Sequence, residues 1–457
     1  MAPKFGTSGL RGLVTELTAD LVADHVRAFL RACPTGGAVF VGRDLRASSP
    51  DLAAVVVGTA RGEGLDVTDC GALPTPALAM AAMAAGAAAV MVTGSHIPAD
   101  RNGLKFYTPT GEITKAEEAA ILSGLGAAAG GKSGGWSDGA AAAPAFAARY
   151  AQAFAGTLAG LRIGVWQHSS VARDLLMQVL AECGAVPVAL GRSAQFVPVD
   201  TEAVEDHWRE AFRGWVAGHG LDAMVSTDGD ADRPLLADET GRLVPGDVLG
   251  ALTAQALRAD VVATTVSANT CVDLMGGFSV RRTRIGSPYV IAAMEAAAGA
   301  RTVGYEPNGG FLLGFAAEGP TGPLAPLMTR DCLLPLLAPL AAARARGLSV
   351  SGLVATLPAR FTATLRLQGV ESSVSVAFLS RVEADPAPLM AAAGLAPVAS
   401  VDRTDGWRAH LQSGEVLHLR PSGNAPEFRV YAEADSADRA EAIGQKALAA
   451  VAAALRA

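Results

Sequence analysis

The sequence predicts an α/β protein built from several domains. Strand-like apolar runs alternate with Ala/Leu-rich helical stretches, this alternation starts again near residues 161 and 261, and its texture changes after about Pro358. Strands that alternate with helices favour parallel or mixed sheets with helices on both faces. The chain has 457 residues, which is too long for one core and suggests about three domains on length alone.

The first round of elements sets the pattern. Residues 38–42 predict an apolar strand, and the next helix is expected to begin with Ser49 as its N-cap and Pro50 in its first turn. The uncharged run 76–98 has the length of a membrane span. Its Ala/Met-rich part is followed by a Val-rich stretch at 90–92, which predicts a buried helix and then a buried strand instead.

Later segments repeat this pattern and then depart from it. Further elements are predicted as strands at 161–166, 223–225, 261–266 and 302–305 and as a helix at about 172–183. The Gly/Ala/Ser-rich stretch 124–143 is expected to be a mobile surface segment, and 238–241 is expected to be a hairpin turn. Residues 361–367 alternate like a half-exposed strand, and 437–457 resemble an amphipathic Ala-rich helix, so a smaller α+β domain is expected at the C-terminus.

The composition indicates a globular protein without an evident macromolecular partner. Half of the residues are hydrophobic, 18% are charged and the formal net charge is −7, which gives no sign of a nucleic-acid or membrane partner. Cysteines stand far apart, without a CxxC pair, at Cys33, Cys70, Cys183, Cys271 and Cys332. This spacing predicts reduced, buried thiols in a cytoplasmic protein and disfavours a zinc site or a disulfide framework.

A cluster of carboxylates follows the strand at 223–225. Asp228, Asp230 and Asp232 alternate, so in an extended loop their side chains would converge, which is costly without a cation. Hard oxygen ligands suit Mg²⁺. A calcium-binding EF-hand loop is disfavoured because Arg233 stands where that loop needs glycine and a strand, not a helix, precedes it. The remaining alternative is a solvated acidic loop.

A single serine lies on a tight turn after the strand at 90–92. Ser95 stands between Gly94 and His96, and Lys105 follows ten residues later. No GxSxG elbow is present, so acyl transfer is disfavoured. A serine that carries a phosphate, beside a metal held by carboxylates, is typical of phosphoryl transfer, with Lys105 as proton shuttle or phosphate clamp. The alternative is a Ser/Gly turn that closes the strand.

Other polar loops supply what a sugar phosphate needs. The loop at 304–311 offers Glu306 and Asn308, which can hold two neighbouring hydroxyls. Residues 420–429 combine two arginines with a serine, an amide and glycine, a set that suits phosphate. Residues 5–12 form a similar Gly/Ser/Arg stretch. Each could be a surface turn, but their joint occurrence favours a binding role.

These motifs together resemble those of the α-D-phosphohexomutase superfamily, the phosphomannomutase/phosphoglucomutase enzymes, over essentially the full chain. In order they are FGTSGLRG at 5–12, TGSHIP with NGLK at 93–105, DGDADR at 228–233, the loop at 304–310, and RPSGNAPEFR at 420–429. The resemblance implies three related α/β domains with mixed sheets and a smaller C-terminal α+β domain around a central cleft. Its boundaries would be 1–145 with the phosphoserine loop, 155–248 with the metal loop, 249–358 with the sugar loop, and 359–457 as a phosphate-binding mobile lid.

The resemblance also implies a mechanism. Phosphorylated Ser95 would give its phosphoryl group to a hexose 1- or 6-phosphate, and a hexose 1,6-bisphosphate would turn over and return the other phosphate to Ser95. The implied catalytic residues are Ser95, Lys105, Arg11 and His96, and the Mg²⁺ ligands are Ser95, Asp228, Asp230 and Asp232. The implied substrate contacts are Arg233, Glu306, Asn308, Arg420, Ser422, Gly423, Asn424 and Arg429.

The sequence departs from the family pattern in three loops, and the departure in the sugar loop bears on the sugar. Gly94 and Ile97 replace Ala and Asn in the serine loop, and Asn424-Ala425 replaces Thr-Glu in the phosphate loop. The sugar loop reads Glu-Pro-Asn-Gly-Gly instead of GExSGH, and because aminosugar mutases share GExSGH, its absence favours a plain hexose. Mannose phosphate is expected first, glucose phosphate next and glucosamine phosphate after them. A phosphatase that uses the same serine, and a non-catalytic sugar-phosphate-binding protein, are the more distant alternatives.

Overall fold

The computed structural model describes residues 3–6, 9–421 and 427–456. Within these ranges the chain forms three α/β domains with mixed sheets and a smaller C-terminal α+β domain, and the predicted fold class is confirmed. No described helix is long and apolar enough to cross a membrane. All five cysteines are buried and free.

The first domain is built on a mixed sheet. Its strands are β1 (Lys4–Phe5), β2 (Leu10–Leu13), β3 (Ala38–Arg43), β4 (Asp66–Ala72), β5 (Ala88–Val92), β6 (Arg101–Thr108), β7 (Gly111–Glu112) and β8 (Trp136–Asp138). Its helices are α1 (Ala19–Ala32), α2 (Ser49–Gly62), α3 (Thr75–Ala84) and α4 (Lys115–Ser123). Helix α5 (Ala142–Ala153) leads into the second domain.

The second and third domains repeat the α/β pattern. The second contains β9 (Arg162–His168), α6 (Arg173–Glu182), β10 (Val186–Arg192), α7 (Asp206–His219), β11 (Ala223–Thr227), β12 (Pro234–Ala237) and β13 (Leu243–Val244). The third begins with α8 (Gly246–Ala256), β14 (Val261–Thr265), α9 (Cys271–Met275), β15 (Ser279–Thr283), α10 (Ser287–Glu295), β16 (Thr302–Tyr305) and β17 (Phe311–Leu313). It ends with β18 (Ala317–Glu318), β19 (Pro323–Leu324), β20 (Leu327–Asp331), α11 (Leu334–Ala345) and α12 (Val350–Val354).

The C-terminal domain covers one face of an antiparallel sheet with helices. Its elements are β21 (Phe361–Gln368), α13 (Ser372–Ala384), α14 (Ala387–Ala393), β22 (Val398–Asp402), β23 (Trp407–Leu411), β24 (Val416–Pro421), β25 (Glu427–Ala434) and α15 (Ala437–Arg456). Buried Glu433 near the end of β25 accepts a bond of 3.0 Å from the backbone nitrogen of Thr270 in the third domain. Asp405, in the connection between β22 and β23, accepts a second bond from the third domain, at 3.0 Å from the Ile285 backbone nitrogen.

A common strand order relates the first three domains. In each, three neighbouring strands are parallel: β4-β3-β5, β10-β9-β11 and β15-β14-β16. The third strand along the chain is then followed by an antiparallel neighbour, so that a hairpin lies inside each sheet: β5–β6, β11–β12 and β16–β17. The turns of these hairpins carry the serine loop, the carboxylate cluster and the sugar loop.

The apolar core of the C-terminal domain is distinct from the core that the first three domains share. The largest apolar cluster runs through the first three domains and includes Phe146, Leu180 and Leu337. A different cluster, with Phe378 and Phe428, fills the C-terminal domain. The first three domains therefore share apolar packing, whereas the last has a core of its own.

Two local expectations are wrong. The N-cap of α2 is Ser48, because Ser49 already lies in the helix and its hydroxyl donates to Asp44 Oδ1 at 2.5 Å. The stretch 124–143 is not simply a mobile segment. Its residues in β8 pair in parallel with β4 and extend the first sheet, since a free sheet edge supplies backbone partners that composition does not reveal.

Two helical glycines test how closely the third domain is packed. A Cβ at Gly250 in α8 would lie 2.4 Å from the ring of Tyr305, whereas a Cβ at Gly58 in α2 would meet nothing within 4 Å. We expect Gly250→Ala to lower the thermal midpoint because overpacking costs about 1–3 kcal/mol. Gly58→Ala is the matched control and should raise the thermal midpoint, because alanine stabilises a helix interior by roughly 0.5–1 kcal/mol relative to glycine. Equal shifts in thermal denaturation would contradict this packing.

Candidate active site

The serine loop is held by a buried polar network. Ser95 has a φ of 52°, a left-handed conformation that costs a non-glycine residue about 1–2 kcal/mol. The Thr93 hydroxyl donates to Asp44 Oδ2 at 2.8 Å and accepts from the Ser95 backbone nitrogen at 2.7 Å. These bonds offset the strain and fix the loop after β5.

Arg46 closes this network and was missed by the sequence reasoning. Its guanidinium is fully buried, pairs with Asp44 at 3.1 Å and donates to the carbonyl oxygens of Ser95, Ile97, Pro98 and Arg101 at 2.9, 2.6, 2.7 and 2.9 Å. A Cβ at residue 94 would lie 2.7 Å from the guanidinium carbon. The arginine therefore explains why glycine stands where the family pattern has alanine.

An aromatic residue of the second domain covers the same arginine. The ring of Phe196 lies 3.9 Å from the Arg46 guanidinium, within the range of a cation–π contact. A Cβ at Gly229 would lie 2.8 Å from the Phe196 ring and 3.0 Å from the Ser95 carbonyl oxygen. Phe196 thus packs at the junction of the serine loop and the carboxylate loop.

The carboxylate loop is the turn of the β11–β12 hairpin. Ala231 at its tip has a φ of 58°, and the Asp228 backbone nitrogen donates to the Arg233 carbonyl oxygen at 3.1 Å. Asp228, Asp230 and Asp232 are fully buried, and one oxygen of each lies within 4.8 Å of the others. A strand enters this loop and a strand leaves it, so an EF-hand does not fit.

The serine and lysine meet this cluster directly. Ser95 Oγ donates to Asp228 Oδ2 at 2.6 Å. Lys105 Nζ, on β6, contacts Asp230 Oδ2 and Asp232 Oδ2, each at 2.6 Å. Residues from two hairpins that are far apart in sequence, β5–β6 and β11–β12, therefore form one polar centre.

Buried charge shifts the acidities within the cluster. Burial, and then the charges of Asp230 and Asp232, raise the pKa of Asp228 well above its usual range. For Asp232 burial also acts against ionisation, but the cations around it, Arg330 first and Lys105 next, hold its pKa below the usual range. The cluster is thus only partly compensated by its own cations.

The donor set fits a hard divalent cation. Buried Asp230 Oδ1 and Asp232 Oδ1 have no hydrogen-bond donor in the described structure, and an unpaired carboxylate oxygen is costly to bury. Asp228, Asp230 and Asp232, with Ser95 next to them, would hold Mg²⁺ through oxygen atoms alone, which is the coordination that Mg²⁺ prefers.

Two further predicted catalytic residues face the cluster. Arg11 lies on β2, and burial followed by the charge of Arg233 lowers its pKa to about 10, so it remains a cation at neutral pH. His96 Nδ1 is 3.4 Å from Ser95 Oγ. Burial, and then the charges of Arg233 and Arg11, lower the pKa of His96 well below its usual value. Its ring is therefore neutral at pH 7.

The sugar loop is the turn of the β16–β17 hairpin. Buried Asn308 donates to Glu306 Oε2 at 3.4 Å and accepts from the Gly310 backbone nitrogen at 2.9 Å. Thr201 of the second domain, which sequence reasoning also missed, donates to the Asn308 carbonyl oxygen at 2.9 Å. The predicted carboxylate–amide pair is thus assembled and tied to its neighbouring domain.

The phosphate loop is described in part. Arg420 and Arg429 lie opposite each other across β24 and β25. Burial acts to lower the pKa of Arg429, but Tyr431 and then Glu202 of the second domain outweigh burial and raise the pKa. The Arg429 guanidinium therefore interacts electrostatically with a carboxylate of the second domain. The other predicted residues of this loop, Ser422, Gly423 and Asn424, lie outside the described residues, as do Thr7 and Ser8 of the N-terminal motif.

Four models of one protein family match successive parts of the chain, from residue 2 to residue 450. Models of phosphoglucomutase/phosphomannomutase alpha/beta/alpha domains I, II and III match residues 2–128, 146–241 and 245–361, and the model of the C-terminal domain matches 379–450. The chain belongs to the phosphoglucomutase/phosphomannomutase family. The predicted resemblance is confirmed, and with it the prediction that the chain is an enzyme of the mutase class.

Individual relatives cover nearly all of the chain. A phosphomannomutase from Sinorhizobium fredii is 44% identical over 96% of this chain and 97% of its own length, and one from Salmonella muenchen is 41% identical over 95% and 93%. A phosphoglucosamine mutase from Thermobifida fusca is 31% identical over 98% and 97%. A solved phosphoglucomutase/phosphomannomutase family protein from Burkholderia thailandensis has the same fold, with a TM-score of 0.77, 22% identity, and coverage of 98% and 97%.

The Arg46 clamp can be tested by keeping its charge. Arg46→Lys retains a cation for Asp44 but cannot make the same set of bonds to four carbonyls, because lysine lacks the planar fork of arginine. We expect mutase turnover to fall about 10–100-fold, the loss of one to two charged hydrogen bonds. Arg43→Lys, which changes a partly exposed pair with Asp69 at 3.8 Å, is the control. Equal turnover in both variants would contradict a clamp.

Metal binding can be tested without an activity assay. Mg²⁺ should raise the thermal midpoint of the wild-type protein because it relieves repulsion among three buried carboxylates. At a hundredfold excess over Kd, the free energy of unfolding should increase by about 2.7 kcal/mol. Asp228→Asn should lose this increment while melting in metal-free buffer no earlier than wild type, since the pKa of Asp228 is already raised. Asp260→Asn, at an exposed position, should keep the increment. An undiminished increment in Asp228→Asn would exclude this site.

Proposed function

We propose that the chain is a phosphomannomutase-type hexose phosphate mutase that moves a phosphoryl group reversibly between O1 and O6 through phosphoserine and a hexose 1,6-bisphosphate. The observation that carries this proposal is the contact of Ser95 Oγ with Asp228 at 2.6 Å inside the buried carboxylate cluster. A hydroxyl at that place suits a phosphorylated residue whose charge is balanced by a divalent cation and by Lys105.

The reaction balances with one phosphoryl group on the enzyme. The bond between Ser95 Oγ and phosphorus breaks as the free sugar hydroxyl forms its bond to that phosphorus and loses its proton. The bisphosphate then turns over in the cleft. The bond between its other phosphorus and the sugar oxygen breaks as Ser95 Oγ attacks, and the sugar oxygen regains a proton. Mg²⁺, when bound, neutralises charge that develops on the phosphoryl oxygens.

In this proposal Lys105, with Arg11 and His96, acts on the hydroxyl proton and on the negative charge of the transferred phosphoryl group. His96 Nδ1 lies 3.4 Å from Ser95 Oγ, and the neutral ring can accept a hydrogen bond from that hydroxyl. Lys105 is placed by two carboxylates at 2.6 Å, and Arg11 remains charged. These two cations would stabilise the negative charge of the phosphoryl group while it is transferred.

Substrate recognition would be divided between two ends of the ligand. Glu306 and Asn308 would accept and donate to neighbouring hydroxyls, while Arg233 would face the reacting end. Arg420 and Arg429, with Ser422, Gly423 and Asn424, would hold the phosphate that is not reacting. A sugar phosphate can then bind in either of two orientations, which transfer between O1 and O6 requires.

Mannose phosphate is the proposed substrate class. The two relatives with 44% and 41% identity are phosphomannomutases, whereas the phosphoglucosamine mutase is 31% identical. The sugar loop also lacks the histidine of the GExSGH form. Both observations favour an unmodified hexose over an aminosugar.

A coupled assay with Mg²⁺ and catalytic hexose 1,6-bisphosphate tests the proposal. We expect mannose 1-phosphate to be converted to the 6-phosphate faster than glucose 1-phosphate or glucosamine 1-phosphate. Ser95→Ala should reduce turnover on the order of 10⁴-fold or more, because alanine has no hydroxyl to carry the phosphoryl group and substrate binding alone does not replace a nucleophile. Intact mass should show one phosphoryl group on the wild-type protein and none on this variant.

The control is Ser123→Ala, which changes a serine that bonds its own helix backbone in α4. It should keep full activity. Release of free phosphate from the wild-type protein would support a phosphatase, and absence of turnover on all three sugars would support a binding protein. Either outcome would overturn the mutase proposal.

A further inference from the structure

A side chain of β20 fills the space that the sugar loop leaves empty. A Cβ built on Gly310 would lie 2.7, 2.9 and 3.1 Å from Cδ, Cγ and Cβ of Arg330. The backbone of Gly310 is not in the left-handed region, so a side chain there is excluded by Arg330 and not by conformation. This is the position at which the GExSGH form carries histidine.

Arg330 also joins the two halves of the site. Its guanidinium contacts Asp232 Oδ2 at 2.8 Å and Glu306 Oε2 at 3.4 Å, and its Nε lies 3.8 Å from Glu112 of the first domain. The side chain is 2% exposed. One fixed cation thus connects the carboxylate loop of the second domain to the sugar loop of the third.

This contact changes what Glu306 can bind. Arg330 and Asn308 both lie on Oε2 of Glu306, which leaves Oε1 for a substrate hydroxyl. The guanidinium, which Glu306 shares with Asp232 and Glu112, balances part of the charge of this carboxylate. A sugar ammonium group therefore gains less from Glu306 than it would from an uncompensated carboxylate.

We propose that Arg330 is a positioning residue that takes the place of the absent histidine and, through Glu306, sets the preference for neutral hexose phosphates over aminosugar phosphates. This inference rests on the proposed mutase function. Arg330 acts on the substrate through Glu306 and takes no part in bond making. Because Arg330 also contacts Asp232 at 2.8 Å, its loss should lower kcat as well, and the part that acts through Glu306 should appear in substrate binding and in sugar preference.

The first variant removes the charge and keeps much of the volume. In Arg330→Met we expect kcat/KM for mannose 1-phosphate to fall about 10–100-fold, through both KM and kcat, as for loss of a charge-assisted hydrogen bond. The ratio of kcat/KM for mannose 1-phosphate to that for glucosamine 1-phosphate should fall about tenfold. Calorimetric titration with mannose 6-phosphate should show a weaker Kd in the same variant.

The second set tests the shared space. Gly310→His should lower both the thermal midpoint and kcat/KM because its Cβ meets Arg330. Arg330→Ala combined with Gly310→His should recover at least part of both losses relative to Gly310→His alone. Such recovery is a coupling between neighbouring sites that independent defects do not give.

The outcomes separate this inference from the proposed function. Arg301→Met, at an exposed ion pair of the same domain with Asp260 at 2.7 Å, should match wild type in every measurement. If wild type shows no mutase turnover, the proposed function fails. If wild type is active and Arg330→Met keeps its KM, its Kd and its sugar ratio, or if the double variant is no less impaired than Gly310→His alone, the inference on Arg330 fails.

Discussion

The burial of three carboxylates in one hairpin turn is the constraint on which the site depends. Like charges at this distance cannot all be ionised without cations, and burial, followed by this repulsion, raises the pKa of Asp228. The compensating groups come from elsewhere in the chain: Lys105 from the first domain and Arg330 from the third. Neutralising the cluster therefore requires the three domains to be packed together, and their shared apolar core maintains that packing.

Two glycines show how closely the cations are fitted. Arg46 occupies the space beside Gly94, and Arg330 occupies the space beside Gly310. In both cases a buried guanidinium binds loop atoms that must not move: carbonyl oxygens around Ser95 in one loop and the carboxylate of Glu306 in the other. The departures from the family pattern at residues 94 and 310 thus have a steric cause in this chain.

The three loops of the site lie at equivalent positions in the three related domains. The serine loop, the carboxylate loop and the sugar loop are turns of equivalent hairpins, each following the last parallel strand of its sheet. The fourth domain has its own core and is bonded to the third domain through Glu433 and through Asp405.

The sequence by itself determined the alternation of strands and helices, the smaller C-terminal domain, and the loops that carry Ser95, the three aspartates and Glu306. Local spacing and residue chemistry are sufficient for those. Only the tertiary structure decided that β8 extends the first sheet, that Ser48 rather than Ser49 caps α2, and that Arg46, Thr201 and Arg330 belong to the site. Their roles come from contacts between segments tens to hundreds of residues apart, and sequence spacing does not encode distances across a folded core.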